Sequence, residues 1–336
     1  MSDTSDPSRV TDPVITAIVP CKGDAPMVRD CLDGLAAQDL DRPFEVVVID
    51  GWMDEEVASV ARSYPFVHLL RSDECLLQAR ARNLGVERTH SAYVAFIDAD
   101  CIPEPGWLRA AVAALDTGAR LAGGPVLDAL PDNCYAVADN YSQFAELPAT
   151  RPEGPQDHFP ACNVAMRTED FRLIGGFPHT GVPAGEDTLL CFAMAERFGG
   201  DKLRFQPDMR VRHRGRETRA AFLEHQRFFG SVRARFGIKL SERKRRLGRW
   251  TVMVPLVMGS RLRYMLGCTM RWAPARLPRV LRLLPLIVWG LGYWAIGFRD
   301  ACREPMARAE LELSSETADC MARGHDGASA EKGMSL

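Results

Sequence analysis

No two of the ten cysteines in this 336-residue sequence form a CxxC, and none lies in a cysteine–histidine cluster with zinc-ligand spacing. A structural zinc module is therefore excluded. Two phosphate-binding signatures are also absent. No GxGxxG follows the first apolar run, which disfavours a dinucleotide fold, and no GxxxxGKS/T occurs, which excludes a P-loop. Lysine is scarce: five of the 42 basic residues, with arginine supplying the rest. The formal net charge of -2 gives no sign of a nucleic-acid partner. The opening MSDTSDPSRVTDP is polar, not an export signal, and residues 1–13 are expected to be disordered. With no export signal, the scattered cysteines are expected to be free thiols in a reducing cytoplasm. Internal repeats are missing as well.

What is present is a 46% hydrophobic chain, enough for one large core. Its first hundred residues alternate in an α/β manner. VITAIVP (14–20), FEVVVID (44–50), FVHLLRS (66–72) and AYVAFID (92–98) read as strands. Between them, residues 26–38, 55–64 and 75–89 carry apolar side chains at helical spacing, and Pro26 sits near a helix start. Strand–helix units in this rhythm imply a mostly parallel sheet with right-handed crossovers. Beyond residue 120 the pattern loosens. RLAGGPVLDAL reads as a strand, 148–160 as a proline-rich loop, 187–198 as a helix, LRFQPDMRVRHRG as a last strand and 218–236 as an amphipathic helix.

Two acidic groups stand out. YVAFIDADC ends an apolar strand with Asp98 and Asp100, one small residue apart. Ligands of open α/β sheets bind beyond the carboxyl ends of the strands, where Pro20, Asp50 and this pair all fall. Residues i and i+2 of an extended segment share a side, so both carboxylates can converge on a hard cation, Mg²⁺ or Mn²⁺, that also binds substrate phosphates. The plainer alternative is a helix cap or a solvated loop. The second group is GEDTLL, where Glu186 and Asp187 open a helix. A helix dipole alone favours acids there. A carboxylate in that place is also suited to take a proton from an attacking hydroxyl.

In order and spacing these segments resemble the family 2 glycosyltransferases over about residues 14–235. The resemblance rests on ITAIVPCKGDAPMVRDCLDGLAAQ, FEVVVIDGWMDE, ARNLG (81–85), FIDADC, and CNVAMRTEDFRLIGGFP followed by GEDTLL. It implies a GT-A fold, a mostly parallel central sheet flanked by helices, and a divalent cofactor. It also implies inverting transfer from a nucleotide-sugar donor, a UDP- or GDP-sugar. By the same resemblance, Pro20, Cys21 and Lys22 lie along the nucleotide and Asp50 contacts the base. Arg82 lies near the nucleotide or on a helix surface. Asp98 touches ribose or sugar and shares the metal with Asp100, Asp187 is the base, and Glu186 places the acceptor. His213 in VRHRG is a further metal ligand or a structural histidine. The chain departs from the family pattern where Ile49 precedes Asp50, where Trp52 and Met53 replace small residues, and at PCKG. HQRFF (225–229) lacks the spacing of a processive synthase signature.

Past residue 240 the composition turns basic and apolar. LLPLIVWGLGYWAIGF (283–298) runs 16 residues without a charge, short of the roughly 20 of a spanning helix. Its arginine flanks and Trp250, Trp289 and Trp294 are expected at a membrane surface; the alternative is a pair of buried helices. The expected division is a catalytic domain over 14–237, a membrane-associating region over 238–302 and a flexible tail over 303–336. The expected acceptor is a glycan or a polyprenol- or lipid-linked sugar at the cytoplasmic face of the cell membrane. A sugar nucleotidyltransferase and an inactive membrane-bound nucleotide-binding scaffold are the other readings.

Overall fold

The computed structural model describes residues 12–22, 24–179, 184–236 and 246–303. The expected N-terminal disorder and flexible C-terminal tail therefore lie almost wholly outside the described residues. The first half runs β1 (Ile15–Cys21), α1 (Ala25–Ala36), β2 (Phe44–Asp50), α2 (Glu55–Arg62), β3 (Val67–Arg71), α3 (Gln78–Glu87) and β4 (Tyr93–Phe96). Next come β5 (Cys101–Pro103), α4 (Trp107–Asp116), β6 (Leu121–Gly123), β7 (Val126–Asp128), α5 (Cys134–Phe144), β8 (Gly154–Pro155) and β9 (Val164–Arg167). The remainder is α6 (Thr168–Leu173), α7 (Glu186–Phe198), β10 (Leu203–Phe205), β11 (Val211–His213), α8 (Arg219–Phe236), α9 (Val254–Trp272) and α10 (Leu277–Arg303).

Eight strands form one sheet in the order β3-β2-β1-β4-β9-β6-β10-β8. The first four are parallel, as continuous Val/Ile runs buried on both faces require. Beyond them the sheet is mixed, because β9 is antiparallel to both β4 and β6. The parallel register sets Cys21 opposite Asp50, and Asp50 opposite Arg71, at one end of the sheet. Both non-glycine residues with left-handed backbone among those described, Asp24 (φ 62°) and Met53 (φ 54°), lie in the loops that follow β1 and β2. Such conformations cost about 1 kcal/mol or more and cluster at functional sites.

Two segments expected as single strands each divide in two. RLAGGPVLDAL breaks at Gly124–Pro125 into β6 and β7, and LRFQPDMRVRHRG breaks at Pro207 into β10 and β11. In each, the first piece stays in the main sheet and the second joins a small sheet ordered β5-β11-β7. Fully buried Asn163 pins both crossings. Its Nδ2 donates to Pro125 O (3.0 Å) and Met209 O (2.9 Å), while its Oδ1 accepts from Trp107 Nε1 (2.8 Å). The small sheet pairs His213 with Cys101 on one side and Asp128 on the other. A histidine distant in sequence thus arrives beside the DxD.

The C-terminal helices are part of this body. Ala138 and Tyr141 of α5, Phe222 and Leu223 of α8, Met265 of α9, and Ile287 and Leu291 of α10 form one buried cluster. Gly230 of α8 lies so close to Trp294 O, and Gly297 of α10 so close to Arg227 O, that a Cβ on either would collide with backbone. Eight described cysteines are free thiols.

Candidate active site

The ARNLG segment explains itself once folded. Gly85 lets α3 lie against the sheet, since a Cβ there would stand 2.7 Å from Ile18 Cγ2. Asn83 holds the loop after α6, donating from Nδ2 to Phe177 O and accepting from Phe177 N, both at 2.9 Å. Arg82 does the most. Its side chain is 2% exposed and joins the two acidic groups: one terminal nitrogen donates to Asp98 Oδ1 at 2.6 Å, the other to Glu186 Oε1 at 2.7 Å. The cation also lies 5.3 Å from the Phe177 ring centroid. Of the two sequence alternatives, nucleotide neighbour or helix surface, the structure excludes exposure on the helix surface.

Glu186 is 5% exposed, and burial raises its pKa above the usual carboxylate range although Arg82 pulls it back. Its Oε2 is buried with no hydrogen-bond partner within the protein. Asp187, next along the first turn of α7, goes the opposite way. Burial pushes it up, but His158 and the Thr188 N–H (2.6 Å) hold it below its ordinary value. The two adjacent carboxyls thus differ in proton affinity, with Asp187 the one kept ionised.

On the other side of Asp98, Asp100 Oδ2 lies 3.6 Å from His213 Nε2. The ligand atoms of Asp100, Cys101 and His213 all lie within 4.8 Å of one another, as a metal site requires. Cys101 offers a soft thiol, a poor match for a hard Mg²⁺ or Mn²⁺ ion. The buried thiols Cys21 and Cys31 have their pKa values raised by desolvation and by the nearby carboxylates. His213 is oriented from behind. Asn140 donates from Nδ2 to His213 O (3.0 Å), so its Oδ1 is left to accept from His213 Nδ1 (2.7 Å). Nδ1 then carries a proton, and Nε2 is the ring nitrogen that faces Asp100. A carboxylate and an imidazole fit a divalent ion that completes its shell with phosphate and water oxygens. Asp98 is turned to Arg82 rather than into this group.

The donor-side residues divide. Pro20 and Cys21 are buried at the end of β1, with Cys21 donating its thiol to Val19 O. The Lys22 ammonium lies 4.6 Å from the Trp52 ring centroid, so a residue that departs from the family pattern finds a structural role. Asp50 is fully buried. Its Oδ1 accepts from the N–H groups of Trp52 and Asp54 (3.2 Å each) and its Oδ2 from Arg71 Nε (3.1 Å). That carboxylate builds the β2–α2 loop and takes its direct contacts from the protein. Three functional neighbours escaped the sequence reading: Asn140, Asn163 and His158. For Asn163 the signal was its place in CNVAMR; for Asn140 and His158 there was none.

Residues 16–133 match the family described as glycosyl transferase family 2. Over that stretch the chain is similar to the family 2 glycosyltransferases, and its fold is of the GT-A kind. It is 28% identical over 182 residues to the glycosyltransferase AglE of Haloferax volcanii, covering 52% of this chain and 60% of that protein. It is 24% identical over 233 residues to the pre-mycofactocin glycosyltransferase of Mycobacterium tuberculosis, covering 67% of this chain and 48% of that one. The alignments thus span about half to three-fifths of those relatives. The fold is shared, at TM-score 0.50 and 20% identity, with the mannosyltransferase PcManGT from Pyrobaculum calidifontis, solved with GDP-Man and Mn²⁺; the match covers 94% of this chain and 81% of that one.

Proposed function

We propose that this protein transfers a sugar, with inversion, from a UDP- or GDP-sugar to a hydroxyl of a glycan or of a polyprenol- or lipid-linked acceptor. The observation that carries the reading is the Arg82 bridge. It ties the DxD strand end to the opening turn of α7, so the donor-side acid and the acids that open that helix stand on either side of one guanidinium. Asp100 and His213 hold a divalent ion, and the imidazole favours Mn²⁺ over Mg²⁺. When bound, that ion neutralises charge on the departing diphosphate. Arg82 orients Asp98 toward the donor and fixes Glu186 so that its unpartnered Oε2 faces an acceptor hydroxyl. Asp187, kept ionised, takes the proton of the attacking hydroxyl as the new C–O bond forms. Pro20, Cys21 and Lys22 form the floor beside the nucleotide, and Asp50 shapes the loop that meets the base.

Residues 238–302 serve, in this reading, to seat the catalytic body on the cytoplasmic face of the membrane. Pro274–Arg303 is long and apolar enough to cross a bilayer, and 39% of its most apolar window is buried. Its glycine contacts with α8 argue for lying on the surface instead. Leu281, Val288, Trp289 and Tyr293 of α10, with Leu256 of α9, are exposed. Nine arginines and no acidic residue occur between 246 and 299. An apolar face with an arginine surround fits an interface rich in anionic lipid.

A thermal-shift screen of nucleotide sugars with and without Mn²⁺ tests the donor, because a ligand that binds only the native state raises its stability. The donor found is then assayed for transfer. Pyrophosphate release from a nucleoside triphosphate would instead identify a nucleotidyltransferase, and no turnover of any donor with Mn²⁺ would leave the scaffold reading.

A further inference from the structure

His158 is absent from the residues that the family motifs supply, yet its ring Nε2 lies 3.7 Å from Asp187 Oδ1. Nε2 is buried and makes no hydrogen bond. The approach is built into the backbone. Phe159, the next residue, donates its N–H to Cys191 Sγ (3.4 Å) and accepts from the same thiol at its carbonyl (3.6 Å). Cys191 lies four residues after Asp187, on the same face of α7. Gln156 Nε2 donates to His158 O at 3.1 Å. One helix face therefore carries both the candidate base and the clasp that presents a histidine to it. Burial keeps the Cys191 thiol protonated, with its pKa pushed up to about 12, so the clasp is a neutral hydrogen-bond pair across the working pH range.

We infer that His158 is a positioning residue for Asp187, one that fixes the orientation of the carboxylate while it removes the acceptor proton. This rests on the transferase reading above. Asp187 Oδ1 already accepts from Thr188 N, and the imidazole approaches that same oxygen. Both contacts engage one lobe of the carboxylate, so Oδ2 is the oxygen presented to the acceptor. The charged groups around the pair are few. Glu146 and Asp187 favour imidazolium at His158, while burial and Arg233 of α8 oppose it. Arg82 lowers Asp187, and Asp187 in turn raises Glu186. The balance raises His158 and lowers Asp187, each favouring the charged form of the other. Removing the imidazole therefore raises the pKa of Asp187, and the acid limb of the rate profile moves to higher pH.

The test measures kcat/KM against pH for the full chain with its donor, comparing wild type, His158→Ala and His158→Gln. Expected are an acid limb displaced to higher pH in both variants and donor KM within about twofold. The expected loss of kcat in His158→Ala is about tenfold, smaller than the roughly 10²–10⁴ of a base itself. Added imidazole returns the His158→Ala limb toward that of wild type. His158→Gln retains an N–H donor without the charge and keeps more of the kcat. An acid limb unmoved in both variants overturns the inference. If Asp187→Asn in the same series still transfers sugar, the base assignment itself is wrong, and that failure is distinct from the first.

Discussion

Arg82→Met isolates the bridge on which the site depends. Methionine keeps the apolar stem against Phe177, so little cavity is added, while the cation is lost. Two carboxylates then stand uncompensated. Asp98 has a side chain 33% exposed and is relieved by water; Glu186, at 7%, is not. Removing one partner of a buried pair costs about 3–5 kcal/mol. The solvation of Asp98 places the expected value near the lower bound, about 3 kcal/mol at neutral pH. At about 2–4 °C per kcal/mol for a domain of this size, the melting temperature falls by about 6–12 °C. The pH dependence is diagnostic. Glu186 already has its folded pKa raised, so the folded state binds its proton more tightly than the unfolded state does. Its contribution to stability therefore improves as pH falls, and loss of Arg82 raises that pKa further. Thermal unfolding at pH 7.5 and 5.5 should show a larger Arg82→Met deficit at the higher pH. Adding Glu186→Gln should recover a good part of it, as a double-mutant cycle measures. Equal deficits at both pH values, with no recovery in the double variant, would refute the argument that an unpaired Glu186 is what the arginine prevents.

Asp187→Asn should leave calorimetric affinity for the donor intact and lower transfer by about 10² or more; near-normal turnover would move the base to Glu186. Asp100→Ala should abolish the Mn²⁺-dependent part of nucleoside diphosphate binding, and unchanged affinity with Mn²⁺ removes Asp100 from the metal. Asn140→Ala should weaken Mn²⁺ binding by about 10–100-fold through loss of the His213 tautomer, read by titration with Mn²⁺ alone. Gly297→Ala should destabilise the chain by at least about 1–3 kcal/mol, because the collision is with the Arg227 carbonyl and backbone yields poorly. A melting temperature like that of wild type would mean that α10 is not docked on α8.

The legible part of this fold is the part governed by period and by order along the chain. β1, β2 and β4 are apolar runs that can only be buried, and each ends where a ligand would be met. The acids were legible because DxD and GED put charge at the end of an apolar element. Less legible were α4 and α5. WLRAAVAALD and CYAVADNYSQF have no strong capping box, and α5 buries Asp139 and Asn140, polar residues that a pattern of apolar positions assigns to the surface. The divided strands were hidden for a related reason. Gly124–Pro125 and Pro207 sit inside segments that read as single strands, and only Asn163 reveals that both are crossings between the same two sheets.

Asp139 and Asn140 show why the second half of such a site cannot be reached from motifs. Asn140 turns to His213 of β11, and Asp139 accepts from His225 Nδ1 (2.9 Å), Gln226 Nε2 (3.0 Å) and Arg216 N (3.2 Å). Gln226, which the sequence set beside a processive synthase signature, is thereby turned inward as a support. Adjacent residues on one buried helix thus anchor the metal-side strand and the helix on which α10 packs. The carboxylate of Asp139 is held below its ordinary pKa, with burial opposing and His225 prevailing, so it stays charged through neutral pH. A buried charge satisfied by this many donors resists displacement, since leaving any of them unpaired costs about 1–3 kcal/mol. Asp139 and Asn140 thus tie α8 to the strand that carries His213.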